Sequence, residues 1–292
     1  MLLENFEFDK ELYREAYAFL MDVHGISHAI IDKHLFPEDK RTKPNTLSLI
    51  YKALLESAQN VQMSPNVIGK SISGIKGNIE PLSGVLFDFD PKKTCEKYRT
   101  YSAEKLFEEI RPLLKRPPHT GKNSLWLRYC KTIISSSVFL SQFENQGQLY
   151  RFVDTYYDDD KMRPFLPMLL SYEIDGFGFA LSCDFLKEMG YVKFGKPDTH
   201  VKDVFVELGL LGTVPKNSSK ADYLSLRLLE RIAKSNETTA YAVDKLLWLI
   251  GSGNFYLEKL EVASKKDEFI EHMKQRQHNH SAHPIAEKAG SG

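Results

Sequence analysis

Cysteine is scarce in this sequence. Its 292 residues contain only Cys95, Cys130 and Cys183, widely separated and with no C-x-x-C pair. Three thiols cannot build a disulfide framework, nor supply the four ligands of an iron–sulfur cluster within one chain. Reduced thiols of an intracellular protein are the expectation. An excess of charge is also missing, because 39 Lys and Arg are offset by 39 Asp and Glu. Any anionic partner must therefore meet a local patch of cations and backbone N–H groups. No apolar run reaches the roughly 18 residues of a membrane span. The opening stretch, MLLENFEFDKELYREAY, lacks the basic and then apolar order of a signal peptide. A soluble, monomeric protein without a membrane partner is expected, cytoplasmic and nucleoid-associated if bacterial. Period-two strand patterns are nearly absent: GVLFDFD at 84–90 is the best candidate, and it reads equally as extended chain. No repeat of fixed period occurs.

What the sequence does carry is helical periodicity almost throughout. Leu12, Ala16, Phe19, Leu20 and Val23 recur at spacings of three and four, which places them on one helix face. Asn45 is an N-cap candidate for a helix over 46–58 with Leu47, Ile50, Leu54 and Leu55 inward. Residues 66–84, rich in glycine, read as loop with a short helical piece. Ser102 can cap a helix running to about residue 114, before Arg116-Pro117-Pro118 breaks the chain. Further helices are expected over 123–140, 146–157, 165–172, 179–189, 199–209, 218–234, 238–250 and 264–276. Asp158-Asp159-Asp160 reads as a solvated acidic turn. The stretch 278–292, with His278, His280 and His283, reads as a flexible tail, and no metal site is assigned.

The informative segment is 174–205, IDGFGFALSCDFLKEMGYVKFGKPDTHVKDVF. Asp175-Gly176-Phe177-Gly178 is a tight turn between two helices, where glycine permits positive φ and close backbone approach. The next helix begins near Phe179, so its free N–H groups point out of the turn and form a ready anion site. Taken alone, a G-x-G turn also describes an ordinary helix–helix corner. Gly195-Lys196-Pro197-Asp198-Thr199-His200 then breaks the chain and opens another helix with Asp198 at the N-cap. Asp is a favoured cap, so this position alone does not distinguish a structural carboxylate from a chemical one.

Together the two stretches resemble a known motif. Gly176-Phe177-Gly178, followed about twenty residues later by Pro197-Asp198-Thr199-His200-Val201, is similar to the helix-hairpin-helix-Gly-Pro-Asp motif of the endonuclease III superfamily of DNA glycosylases. Leu54-Leu55-Glu56-Ser57-Ala58-Gln59-Asn60 resembles the L-L-S-A-Q segment before the hairpin in that family, with one residue inserted. Asp244 to Gly251, DKLLWLIG, is similar to a C-terminal helix of several members.

The resemblance implies an all-α fold of two helical lobes with a DNA-binding groove between them. One lobe would run over 42–190 and include the hairpin at 174–183; the other would combine 1–41 with 191–292 and present the catalytic Asp198. It implies that Gly176, Phe177, Gly178 and Ala180 grip a backbone phosphate of double-stranded DNA, with His200 also at the DNA. Gln59, shared with Asn60, would fill the gap left by an extruded base. Asp198 would stabilise the oxocarbenium-like sugar and orient the attacking water. Trp126, Tyr129, Phe139, Phe143 and Trp248 are candidates to line a base pocket, although each reads first as core. Arg111, Lys115, Arg116, Lys122, Arg128 and Lys131 form a basic stretch that can track phosphates or simply face solvent. Members that also cut the strand carry a Lys two residues after the second hairpin glycine, where this chain has Ala180. The expectation is a monofunctional glycosylase acting on a damaged or modified base, with no cofactor beyond a monovalent cation at the hairpin. The alternative is a DNA-binding module that kept the hairpin and lost the chemistry.

Overall fold

The computed structural model describes residues 6–37, 43–60, 67–115 and 124–282, with side chains as far as 278. The expected chain break at Arg116-Pro117-Pro118, Lys122, and the tail from 283 onward lie outside the described residues. The fold is all-α. In chain order the helices are α1 (Phe6–Met21), α2 (His28–Leu35), α3 (Leu47–Ala58), α4 (Ile68–Ser73), α5 (Pro91–Tyr98), α6 (Ala103–Ile110) and α7 (Leu125–Ser141). They continue with α8 (Gln146–Tyr157), α9 (Phe165–Glu173), α10 (Phe179–Glu188), α11 (Thr199–Glu207), α12 (Ser219–Ser235), α13 (Ala240–Ser252) and α14 (Lys266–Ala282). Among the described residues the only strands are β1 (Asn254–Phe255) and β2 (Leu260–Glu261), an antiparallel pair. No helix among the described residues is long and apolar enough to cross a membrane.

The chain divides into two compact units, Met1–Glu38 with Val192–Gly292, and Asp39–Tyr191. In the first, α13 is the central element, packed against α1, α2, α11 and α12. It is buried almost all round, as a helix with apolar residues on every face must be. One charged pair is enclosed with it: Asp9 on α1 is fully buried and accepts two hydrogen bonds from Arg231 on α12, at 2.6 and 2.9 Å. That bidentate geometry offsets the desolvation of the carboxylate.

In the second unit α7 is central and packs against α3, α5, α6 and α9. Most of its helices start on side-chain caps. Ser102, Ser124 and Asn145 accept from the N–H groups of Lys105, Leu127 and Gln148, satisfying donors that the first turn leaves over.

Three expectations are corrected. Thr46, not Asn45, caps α3, through Leu49 N–H at 3.2 Å. The FDFD alternation is not a strand: Phe87, Asp88 and Phe89 take φ of 52°, 54° and 58°, a left-handed turn that delivers Asp90 to the N-cap of α5. Leu86 and Phe89 are buried there, so core packing overrides the local pattern. Finally, α14 continues through Ala282, past the expected start of the tail at 278.

Candidate active site and nucleic-acid interface

The hairpin lies in the second unit. α9 ends at Glu173, and the turn 175–178 leads into α10. Gly176 has φ +75°, and a Cβ there would stand 2.8 Å from Thr132 Oγ1 and 2.9 Å from Arg128 Cγ. Both conformation and space demand glycine. Gly178 departs from the expectation: its φ is −72° with open space beside it. Its missing Cβ instead leaves the entrance to α10 uncovered. No side chain caps α10, so its first-turn N–H groups stay available to an anion.

Phe177 is an anchor and not a DNA-facing side chain. It is 1% exposed, packs edge-on against Phe185, and its N–H donates to Ile174 O at 3.1 Å. Ala180 is partly exposed on the first turn of α10.

The turn is held from below by α7. Thr132 Oγ1 donates to Asp175 O at 2.7 Å, and Asp175 N–H donates to Ser135 Oγ at 2.9 Å. Arg128 Nε donates to Gly176 O at 3.0 Å. Positions 128, 132 and 135 fall at spacings of four and three, so this polar stripe was legible as one helix face but its purpose was not. Arg128 pairs with no carboxylate among the described residues, and burial pulls its pKa down. A half-buried cation without a counter-ion is a candidate phosphate ligand.

Gln59 is not placed for insertion into DNA. It is 4% exposed, and its Nε2 donates to Gly77 O at 2.8 Å. Asn60 Nδ2 donates to Asp184 on α10 at 3.2 Å. Trp126 and Tyr129, considered for a base pocket, are core residues at 2% and 3% exposure, stacked edge-to-face at 5.9 Å. Tyr129 OH is spent on Leu55 O at 3.1 Å. Lys187 is buried, 3.5 Å from the Asp184 carboxylate.

Asp198 lies in the first unit. The loop before it is pressed onto α12 and α13: a Cβ on Gly195 would meet Ala240 O and Leu229 Cδ1 at 2.7 Å. Lys196 N–H donates to Asp244 Oδ2 at 2.9 Å, tying the loop to α13. Asp198, partly exposed, then caps α11, its Oδ1 accepting from Val201 N–H at 3.1 Å. Its Oδ2 takes no hydrogen bond among the described residues. His200 is partly exposed, and its ring is seated on Gly251 of α13 with Nδ1 buried. Trp248 is partly exposed, 6.1 Å from the Tyr256 ring, with Lys245 Nζ 5.1 Å from its centroid. Asp244 and Gly251 bound the DKLLWLIG segment and Gly195 opens the loop before Asp198, but only the packing assigns each its role. Among the described residues no cluster of His, Cys, Asp and Glu could hold a metal ion.

An all-α fold thus presents a helical hairpin whose second helix is uncapped, and a carboxylate at the N-cap of the helix that follows it. No family model matches the chain. The chain is 30% identical over 81 residues to the 8-oxoguanine DNA glycosylase/AP lyase of Korarchaeum cryptofilum (strain OPF8), a match covering 27% of this chain and 39% of that protein. Among solved structures it is similar to the 8-oxoguanine glycosylase/lyase of Methanocaldococcus jannaschii in complex with a 15mer DNA containing 8-oxoguanine, with 17% identity and a TM-score of 0.49 over 82% of this chain and 96% of that one. It is also similar to the 8-oxoguanine DNA glycosylase of Thermotoga maritima, with 15% identity and a TM-score of 0.44 over 84% and 94%.

Proposed function

We propose that this protein is a DNA glycosylase of base excision repair, which hydrolyses the N-glycosidic bond of a flipped base and leaves an abasic site. The observation that carries the reading is the state of Asp198. One carboxylate oxygen is fixed by Val201 N–H at 3.1 Å, and the other has no partner among the described residues. A carboxylate so oriented can face a developing oxocarbenium ion and take a proton from the attacking water. The hairpin supplies the matching phosphate contact through N–H groups of α10 and Arg128, which positions DNA without reading sequence. Oxidised guanine is the first substrate to examine, since the Korarchaeum relative carries that name.

The strand is left intact in this proposal. Ala180 stands where the lyase branch needs an amine, and Lys187 is buried beside Asp184 farther along α10. In this respect the chain departs from a relative named glycosylase/AP lyase.

The test is base release from duplexes carrying oxidised guanine, alkylated purines, deaminated bases and modified cytosines, comparing wild type with Asp198→Asn. Release by wild type alone, with strands that break only after alkali, is the expected result. DNA binding without release from any duplex would favour the non-catalytic module, with Asp198 acting only as a cap.

A further inference from the structure

The family resemblance implies a monovalent cation at the hairpin, and the donor set of this turn does not suit one. A metal ion held by a turn needs several carbonyl oxygens free to converge on it. Here four of the five carbonyls from Ile174 to Gly178 already accept hydrogen bonds. Ile174 O accepts from Phe177 N–H at 3.1 Å, and Gly178 O from Ser182 N–H at 3.0 Å. Asp175 O accepts from Thr132 Oγ1 at 2.7 Å, and Gly176 O from Arg128 Nε at 3.0 Å.

A carbonyl has a second lone pair, so this engagement alone does not decide the matter. Charge does. The donor on Gly176 O is a guanidinium, which stays protonated. A metal ion drawn to the same oxygens would stand close to that charge, in half-buried surroundings that screen it poorly.

The guanidinium meanwhile has the surroundings that suit a bound cation. No carboxylate pairs with Arg128 among the described residues. Gln59, 4% exposed, has its Oε1 buried without a partner among the described residues. Both residues line one small cavity, of about 10 Å³, together with Thr132 and Gly176. A buried oxygen that lacks a donor favours a positive neighbour. Neutral oxygens thus seat the guanidinium without neutralising it, and its charge is left for an outside anion.

We propose that the Arg128 guanidinium takes the place of the monovalent cation in this hairpin, so that the positive charge behind the DNA phosphate is built into the chain. The phosphate is then held by the first-turn N–H groups of α10 and by Arg128, and its binding requires no particular metal ion. The inference deepens the proposed function and rests on its reading that the hairpin meets a DNA phosphate.

The experiment measures the affinity of the full chain for a duplex with an uncleavable tetrahydrofuran abasic site. The salts are the chlorides of potassium, sodium, lithium and tetramethylammonium at equal ionic strength. Wild-type dissociation constants should agree within about twofold, because counterion release depends on charge and not on a fitted ion. Arg128→Gln places an amide Nε2 where the guanidinium has Nε, so the donor to Gly176 O is kept and the charge is lost. It should melt as wild type does and bind about tenfold more weakly in about 0.1 M potassium chloride, the share of one phosphate contact. The wild-type series stands whether or not the variant folds. Wild-type binding at least about tenfold tighter in potassium than in tetramethylammonium would reveal a seated metal ion and overturn this inference alone. Equal affinity of wild type and Arg128→Gln does the same. Absence of duplex binding by wild type in every salt overturns the glycosylase reading as well.

Discussion

Gly251→Ala tests whether the carboxylate site depends on packing behind it. Gly251 lies in the last turn of α13, where alanine should ordinarily stabilise a helix by up to about 1 kcal/mol. Here a Cβ would stand 2.5 Å from His200 Nδ1, 2.7 Å from His200 Cγ and 2.7 Å from His200 Cβ. The ring could swing away from the first two contacts, but Cβ moves only with the backbone. Overpacking of this kind costs about 1–3 kcal/mol, which exceeds the gain in helix propensity. The net expectation is a loss of up to about 2 kcal/mol. It should be relieved by parting α13 from the start of α11, which displaces Asp198 two residues before His200.

Urea denaturation of the two single variants and the double variant resolves the terms. His200→Ala in the Gly251→Ala background should recover only part of the loss, because the Cβ–Cβ contact survives; His200→Gly should remove the clash altogether. Base release by Gly251→Ala should fall more than its folded fraction explains, because a small misplacement of a catalytic group is costly. If Gly251→Ala is more stable than wild type by the full propensity gain, His200 does not sit on Gly251 and the account of how Asp198 is held fails.

Three further outcomes are expected. Arg128→Ala should weaken binding to every duplex alike and flatten the dependence of log K on log salt by about 0.9, one phosphate contact; an unchanged slope would remove Arg128 from the interface. Ala180→Lys should install an amine at the lyase position, so that borohydride traps a protein–DNA adduct with the variant and not with wild type; trapping with wild type would refute the monofunctional proposal. His34 has its pKa lowered from 6.5, chiefly by burial and further by Lys245, and Leu257 N–H donates to its Nε2, which requires the neutral ring. A lowered value means that the fold favours neutral His34. Its contribution is full above the ordinary value and is lost as pH falls from there through the folded value. Urea midpoints measured from pH 7.5 down to 5 should drop, and His34→Gln should flatten the profile; an unaltered profile would show that another group titrates.

Much of the fold is readable along the chain, and the gaps have physical causes. The helix over 146–157 is found at those bounds, and Ser102 caps as its hydroxyl suggests, because both signals are local. α5 is harder to read because its Lys- and Glu-rich turns offer little apolar periodicity, although Asp90 as cap and Pro91 as first residue were signals of a start. The left-handed run at Phe87–Phe89 could not be inferred, since no glycine announces it. At the hairpin, the glycines point to a turn but not to which of them needs positive φ; the contact with Thr132 and Arg128, more than forty residues away in sequence, decides that for Gly176. Gln59 and Phe177 illustrate the same limit: residue type suggests exposure or contact, and only tertiary packing places them inside.

In the proposed function Asp198 is both a helix cap and the reactive carboxylate, and the two descriptions are not rivals. The hydrogen bond from Val201 N–H that makes it a cap also fixes its orientation. Engaging Oδ1 leaves the opposite lone pairs on Oδ2, so on that proposal the cap selects which oxygen remains for chemistry. The loop is then over-determined from the other side by Asp244 on Lys196 N–H and by the close seat of Gly195 on α12 and α13. Had the carboxylate served only the helix, Asn would do nearly as well, because both side chains cap with similar strength. Asp198→Asn therefore separates the two roles in one substitution: the cap is retained at a cost of a few tenths to about 1 kcal/mol from the lost dipole interaction, and the charge is not. Preserved folding with base release reduced by at least about a hundredfold would locate the chemistry in the charge, whereas undiminished release would leave Asp198 as a cap and nothing more.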